Sequence, residues 1–244
     1  MASEPFMELA QSHPCYDANA HNRIGRIHLP VAPKCNIACR FCDRKISPYY
    51  HTSRPGLAHS LLQPEDAIFV VENAIEKNPQ IEVVGISGPG EPLYNDETYK
   101  TLKIVSENFP FLKLCICTNG LLLPEKTKIL RELGVKSLTI TINAVDPKIA
   151  SKLSSFSIVE GKKVRGLEGA RLLVNRQLKG LEIAAELGFL IKINTVLIPE
   201  LNLTHIKDIA YEVQKRGAYL LNIMPLIPLG KFDNLKAPTC EELR

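Results

Sequence analysis

The sequence predicts an α/β fold, an incomplete (β/α)6 barrel of the TIM type left open along one side, and three observations carry that reading. Short β-rich runs alternate with longer helical patterns almost from end to end, the signature of βα units and a parallel sheet. Six such units can be drawn, where a closed barrel would need eight. Within the runs, apolar and polar residues alternate, which gives each strand one face for covering helices and another for a lumen.

The strands fall near Arg26 to Ala32, Ile81 to Ser87, Leu112 to Cys117, Ser137 to Asn143, Leu190 to Val196 and Tyr219 to Met224. Helices are expected near Pro64 to Lys77, Asn95 to Asn108, Pro124 to Leu133, Gly166 to Leu187 and Leu203 to Arg216. Several open with proline in the first turn, as at Pro64 and Pro124, or close on glycine, as at Gly134, Gly188 and Gly217. The fourth connection is longer and carries a polar stretch, Ser151 to Lys163, read as a surface excursion before its helix. There is no internal repeat and no low-complexity segment.

Parity assigns the faces. In the fourth strand Leu138, Ile140 and Ile142 share one side, and Thr139, Thr141 and Asn143 the other. The same rule turns His28, Cys115, Cys117, Lys192, Asn194 and Asn222 toward the lumen. Polar groups enclosed in this way are costly unless water, a metal or a ligand meets them, so the barrel should hold something polar.

At 244 residues and 45% hydrophobic, the chain fits one large domain, residues 1–244, with an N-terminal extension over 1–25. The net charge of +4 makes no sequence-wide case for nucleic acid or membrane binding. No apolar run approaches the roughly twenty residues of a membrane span, and the start lacks the pattern of a signal peptide, so a cytoplasmic location is expected. Seven cysteines, three of them packed together, fit a reducing compartment and metal ligation better than a disulfide framework.

Those three are Cys35, Cys39 and Cys42, in the loop 33–58 after the first strand. Their spacing would also suit one helical face, but three cysteines in eight residues is too dense for ordinary packing. A structural zinc site wants a fourth ligand and usually two CxxC pairs. Three thiolates on a four-iron cluster leave one iron open, and an open metal position is where chemistry happens. After the second strand comes Gly88-Pro89-Gly90-Glu91-Pro92, on the same barrel face as the cysteine loop. Its glycines allow backbone to approach a ligand, and its carboxylate can hold a positive charge.

With these two motifs the chain resembles the radical S-adenosylmethionine enzymes. Their CxxxCxxC loop with an aromatic before the last cysteine matches Cys35, Cys39, Phe41 and Cys42, and their glycine-rich motif matches Gly88 to Glu91. The resemblance implies a partial (β/α)6 barrel of the radical SAM type. It also implies a 4Fe-4S cluster on the three cysteines, whose open iron chelates the amino and carboxylate groups of S-adenosylmethionine. One electron would then cleave the sulfonium to a 5'-deoxyadenosyl radical. Gly88, the backbone near Gly90 and Glu91 would take the methionyl amino group. Asn119, Asn143 and Asn194, with Thr118 and Thr141 beside them, are candidates for ribose and carboxylate contacts.

Further segments sharpen the likeness: His13-Pro14-Cys15-Tyr16, Arg26-Ile27-His28, Cys42-Asp43-Arg44-Lys45, Ser53-Arg54-Pro55-Gly56, Thr118-Asn119-Gly120 and Thr141 to Pro147. Taken in this order they resemble the maturases of nitrogenase cofactor assembly. That resemblance implies coupling of two four-iron clusters into an eight-iron, carbon-centred precursor, with S-adenosylmethionine used once as methyl donor and once as radical source. Cys15, His28 and Cys115 would hold a second 4Fe-4S cluster, which makes Cys115 a catalytic candidate with Cys35, Cys39 and Cys42. Parity leaves Cys115 and Cys117 open as alternatives; Cys115 is preferred. The implied partners are iron–sulfur cluster donors, a reductant, and a nitrogenase cofactor scaffold such as NifEN as acceptor.

Three positions depart from that pattern or extend it. Thr52 stands where a proton-handling glutamate is expected. A closing Cys-x-x-Cys pair for a third cluster is missing before Arg244, with only Cys240 nearby. Arg54 is a candidate to steady an anionic cluster or substrate. Two rival functions are a radical enzyme acting on a small organic or peptide substrate, with one cluster per chain, and a non-enzymatic iron–sulfur carrier.

Overall fold

A computed structural model describes residues 4–46 and 56–244. Thr52 and Arg54 lie outside the described residues, so the expectations attached to them are not tested. Six parallel strands form one sheet in sequence order: β1 (Gly25–Leu29), β2 (Ile81–Ile86), β3 (Lys113–Thr118), β4 (Val135–Thr141), β5 (Leu190–Leu197) and β6 (Leu220–Pro225). β1 and β6 do not pair, so the barrel stays open between them.

The covering helices are α1 (Ala67–Lys77), α2 (Asp96–Asn108), α3 (Leu123–Glu132), α4 (Gly166–Glu186) and α5 (Ile206–Lys215). Parity holds where the helices meet the sheet. Leu114, Ile116, Leu138, Ile140, Ile142, Ile191 and Ile193 join Val71, Leu102, Leu130, Leu181 and Val213 of the helices in one buried core. Each such side chain contributes roughly 1.5–3 kcal/mol on leaving water, which ties the register of every strand to the helix it faces.

Two regions differ from the sequence reading. The polar stretch 151–163 is built into structure: after a helix over Pro147–Leu153, strands Ser154–Val159 and Lys162–Arg165 pair antiparallel, and the first also pairs with Ile37–Cys39 of the cysteine loop. Its serines mislead because Ser154 and Ser157 are buried; Ser157 Oγ donates to the Gly169 carbonyl oxygen at 3.3 Å, so a polar side chain is satisfied inside. The N-terminal extension, for which no elements were drawn, forms helices over Glu4–Gln11 and Ala18–His21. It is fastened to the sheet by Tyr16, whose hydroxyl lies 3.0 Å from the carbonyl oxygens of both Leu138 and Leu190. Lys113 Nζ, donating to the Ser12 carbonyl at 3.1 Å, adds a second tie.

Candidate functional site

Cys35, Cys39 and Cys42 line one cavity of about 240 Å³ at the carboxy-terminal ends of the strands. The cavity also takes in Gly88, Glu91, Thr118, Asn119, Thr141 and Asn143, so the two motifs read from sequence meet there. The cysteine loop is held from one side by the strand pairing at Ile37 and Cys39. From the other side Phe41 packs into a small apolar cluster with Leu153, Val174 and Phe232. All three thiols are free.

Burial pushes the Cys35 thiol up to about 11, with the Glu91 charge adding to it, and raises Cys39 and Cys42 as well. The Arg44 guanidinium acts in the opposite sense on all three. Arg44 is fixed in place by its own bond to the Ile37 carbonyl at 3.1 Å. Iron binding to these thiols must therefore displace protons, aided by a cation already positioned beside them. Among the described residues no three His, Cys, Asp or Glu side chains converge tightly enough to hold a single metal ion. A four-iron cluster makes a different demand, since each thiolate binds its own iron and the sulfurs stand apart. Three separated free thiols on one cavity wall, with the buried Asn36 Nδ2 beside Cys35 lacking a hydrogen-bond partner, fit that demand.

A network of backbone and amide bonds fixes the wall opposite the thiols. Gly90 N donates to the Ala32 carbonyl at 2.7 Å and Glu91 N to the Lys34 carbonyl at 2.8 Å. A Cβ at position 90 would strike the Lys34 carbonyl oxygen, so this glycine is required by the approach of the cysteine loop itself. Asn95 locks the same junction: its Oδ1 accepts from Lys34 N at 3.1 Å, and its Nδ2 donates to the Lys34 and Glu91 carbonyls at 2.9 and 2.7 Å.

Glu91 is buried and its carboxylate accepts from Leu93 N at 3.1 Å, Asn119 N at 2.6 Å and the Thr118 hydroxyl. Burial outweighs these three donors and pushes its pKa up to about 7. The structure thus gives Glu91 a clamping role, joining the end of β2 to the end of β3. Asn119 is spent in the same way, donating through Nδ2 to Asn36 Oδ1 at 2.7 Å and accepting from Leu121 N at 2.9 Å. Asn143 accepts from Val196 N at 2.8 Å through Oδ1, which leaves its Nδ2 as the group it offers.

Asn194, in register with Thr141 of β4, is not itself among the residues lining this cavity. β5 runs on to Leu197, so Asn194 lies within the strand instead of at its end, paired with Asn222 Nδ2 at 3.0 Å.

Below the cavity lies a second group of donors. Gly85 of β2 sits between β1 and β3, in register with His28 and Cys115. The point where a Gly85 Cβ would stand is 3.0 Å from both His28 Nε2 and Cys115 Sγ, so both point into the same space and only glycine leaves it open. Cys115 is buried, and Cys117, two residues on, reaches the upper cavity. Cys15 arrives from the N-terminal extension close enough for its charge to raise both Cys115 and Cys117, behind burial as the main cause.

His13 orients the turn that delivers Cys15. Its Nδ1 accepts from Cys15 N at 3.1 Å, which leaves the proton on Nε2, 3.2 Å from Ser137 Oγ. Burial, with the charges of Lys192, Lys113 and Arg26, pushes His13 down to about 3, so it stays neutral. Sequence reasoning missed Gly85, Asn95, Asn36 and Arg44 as functional positions. Only Arg44 carried a signal, as a cation two residues past Cys42.

Comparison with known proteins agrees with this geometry. The family model described as the Radical SAM superfamily matches residues 29–212. Among solved structures, that of Streptococcus suis SuiB bound to S-adenosylmethionine superposes with a TM-score of 0.64 at 17% identity, covering 98% of this chain and 50% of SuiB, which shows a shared fold. The FeMo cofactor biosynthesis protein NifB of Methanocaldococcus infernus is 48% identical over 239 residues, 98% of this chain and 79% of that relative. NifB of Bradyrhizobium diazoefficiens is 43% identical over 97% of this chain and 49% of its own length. Matches of this extent, over a barrel that carries both motifs on one cavity, place the chain in the radical SAM superfamily and, within it, in the family of the FeMo cofactor biosynthesis protein NifB.

Proposed function

We propose that the chain is a nitrogenase cofactor maturase that uses S-adenosylmethionine both as methyl donor and as radical source, fusing two four-iron substrate clusters into an eight-iron, carbon-centred precursor. The observation that carries this is the presence of a second donor group beside the first: Cys35, Cys39 and Cys42 line the mouth cavity, while His28 and Cys115 share the space at Gly85 and Cys15 lies near Cys115. A small-molecule radical enzyme has no use for the lower set, and a carrier has none for the Gly88 to Glu91 turn or Asn143 on the same cavity as the cysteines.

The resident cluster on Cys35, Cys39 and Cys42 supplies, when bound, an open iron and the electron that cleaves S-adenosylmethionine. The chain's own residues then bind and orient. Gly88 and the Gly90 backbone, with the Glu91 charge behind them, form the wall for the methionyl amino group. Thr141 and the free Nδ2 of Asn143 offer contacts to the ribose and carboxylate, Thr118 holds Glu91 through its hydroxyl, and Asn119 keeps Cys35 in place through Asn36. Cys15, His28 and Cys115 hold a substrate cluster below, a mixture of soft thiolates and an imidazole suited to iron. Cluster donors and a reductant supply the reaction, and a scaffold such as NifEN accepts the product. No described helix is long and apolar enough to cross a membrane.

The test is product analysis. Anaerobically reconstituted protein with dithionite should convert S-adenosylmethionine to both S-adenosylhomocysteine and 5'-deoxyadenosine. If only 5'-deoxyadenosine forms, the methyl-transfer half of the proposal is wrong.

A further inference from the structure

The lumen holds two cations that no carboxylate neutralises. Arg26, two residues before His28 on β1, reaches Cys15 Sγ with Nη1 at 2.6 Å. Lys192 of β5, on the far side of the sheet, places Nζ 3.4 Å from the Cys15 carbonyl oxygen and 5.9 Å from the centre of the Tyr16 ring. Among the described residues neither forms an ion pair. The nearby acid Glu82 is already taken by Lys113 Nζ at 2.7 Å. The remaining lumen groups are thiols, hydroxyls, amides and His28.

Arg26 is exposed and Lys192 half-buried, so each stays hydrated on its own, but with no carboxylate paired to either they leave the Cys15 side of the lumen net positive and favourable to an anion. The anion must also suit soft donors, since Cys115 and the His28 imidazole share the space at Gly85 and Cys15 Sγ lies beside Arg26 at its edge. A four-iron core of charge two plus held by the thiolates of Cys15 and Cys115 and the neutral His28 imidazole carries no net charge, and one-electron reduction turns it into an anion that neighbouring cations stabilise. Simple oxyanions would meet the charge but would leave the thiols without a role.

We propose that Arg26 and Lys192 are the charge partners of the iron–sulfur substrate held by Cys15, His28 and Cys115, positioning it and favouring its more reduced form. This rests on the reading of those three residues as the substrate-cluster ligands. Arg26 acts at close range through its bond to Cys15, whereas Lys192 acts across the lumen as a point charge.

The test isolates the lower site. In a Cys35→Ala, Cys39→Ala, Cys42→Ala background, the reconstituted full chain should still bind iron. Arg26→Gln and Lys192→Gln are then added singly and together, with Arg26→Lys as the conservative partner. The measurements are EPR-monitored redox titration and the rate of iron release to a chelator. The midpoint potential should move to more negative values in both glutamine variants, furthest in the pair, and iron release should quicken about tenfold in the pair, with Arg26→Lys restoring most of the potential. Unchanged potentials and release rates would overturn the proposal. So would an Arg26→Lys variant that loses iron as completely as Arg26→Gln, since the arginine would then be needed for its shape and not its charge. Should the triple-alanine background itself bind no iron, the substrate-cluster reading fails first, and that outcome is distinguishable from the others.

Discussion

The mouth of the barrel and its lumen are built on opposite plans. At the mouth, three thiols come from a single eight-residue stretch, sit in a buried setting, and are braced by neutral hydrogen bonds through Asn95, Asn119 and Asn36. In the lumen, the donors Cys15, His28 and Cys115 come from three elements distant in sequence and are surrounded by charge from Arg26 and Lys192. A contiguous loop closes its donor set with little loss of chain entropy, which suits a resident group. Dispersed donors exist as a set only when extension, first strand and third strand are all docked. Under the proposed function, that difference separates the cofactor that stays from the clusters that pass through.

The largest expected effect lies at the mouth. Replacing any one of Cys35, Cys39 or Cys42 by alanine should lower iron by about four per chain and abolish formation of 5'-deoxyadenosine, while iron held by the lower site remains. Loss of all iron from a single such variant would erase the separation between the two regions.

Next comes the lower site, where Cys115 and Cys117 can be told apart. Cys115 is buried against His28 at the open Gly85 wall, whereas Cys117 reaches the upper cavity. Cys115→Ala should remove the second set of about four irons and stop product formation, as should Cys15→Ala. Cys117→Ser should keep both. Iron retained in Cys115→Ala but lost in Cys117→Ser would reverse the ligand assignment.

How much of this was visible in the chain follows from the kind of signal each part sends. The six strands and their parity were legible because burial writes alternation directly into Leu138, Ile140 and Ile142. The cysteine loop was legible because its ligands are neighbours in sequence. Asn95 and Gly85 were not, since their work consists of meeting residues some sixty and thirty to sixty positions away, Lys34, His28 and Cys115, and nothing local marks it. The strand pair after Leu153 was hidden by serines that turn inward, Ser154 and Ser157, the latter with its hydroxyl satisfied by the Gly169 carbonyl. Asn194 sits three residues before the end of β5, a depth that alternation of faces does not give.

A smaller effect belongs to Glu91, which joins β2 to β3 beneath the mouth. Its folded pKa, pushed up to about 7 by burial, exceeds the ordinary 4.5 it takes when unfolded. The folded chain therefore binds the extra proton between those values. The stability this group contributes is full below pH 4.5 and declines as the pH rises through 7, at up to about 1.4 kcal/mol per pH unit. Urea titration of the metal-free protein at several pH values should show that slope. Glu91→Gln should flatten it, and should also lower stability by about 1–3 kcal/mol because an amide cannot accept from Leu93 N, Asn119 N and Thr118 as a carboxyl does. A slope that survives in Glu91→Gln would assign it to another group.

The smallest effect tests whether the lumen depends on the docking of its N-terminal extension. Tyr16 shares one hydroxyl proton between the carbonyls of Leu138 and Leu190, and its ring stacks edge-on against His13 at 5.0 Å. Tyr16→Phe keeps the ring and removes only the hydroxyl, which should cost about 0.5–1.5 kcal/mol in the denaturant midpoint. The consequence for the two regions should be unequal. Cys35, Cys39 and Cys42 gain nothing from the extension, so iron at the mouth should be unaffected, whereas a loosened Cys15 should release lower-site iron to a chelator a few times faster. Equal acceleration at both sites would show that the mouth, too, is held by the extension, and the contrast between a self-contained loop and an assembled lumen would have to be given up.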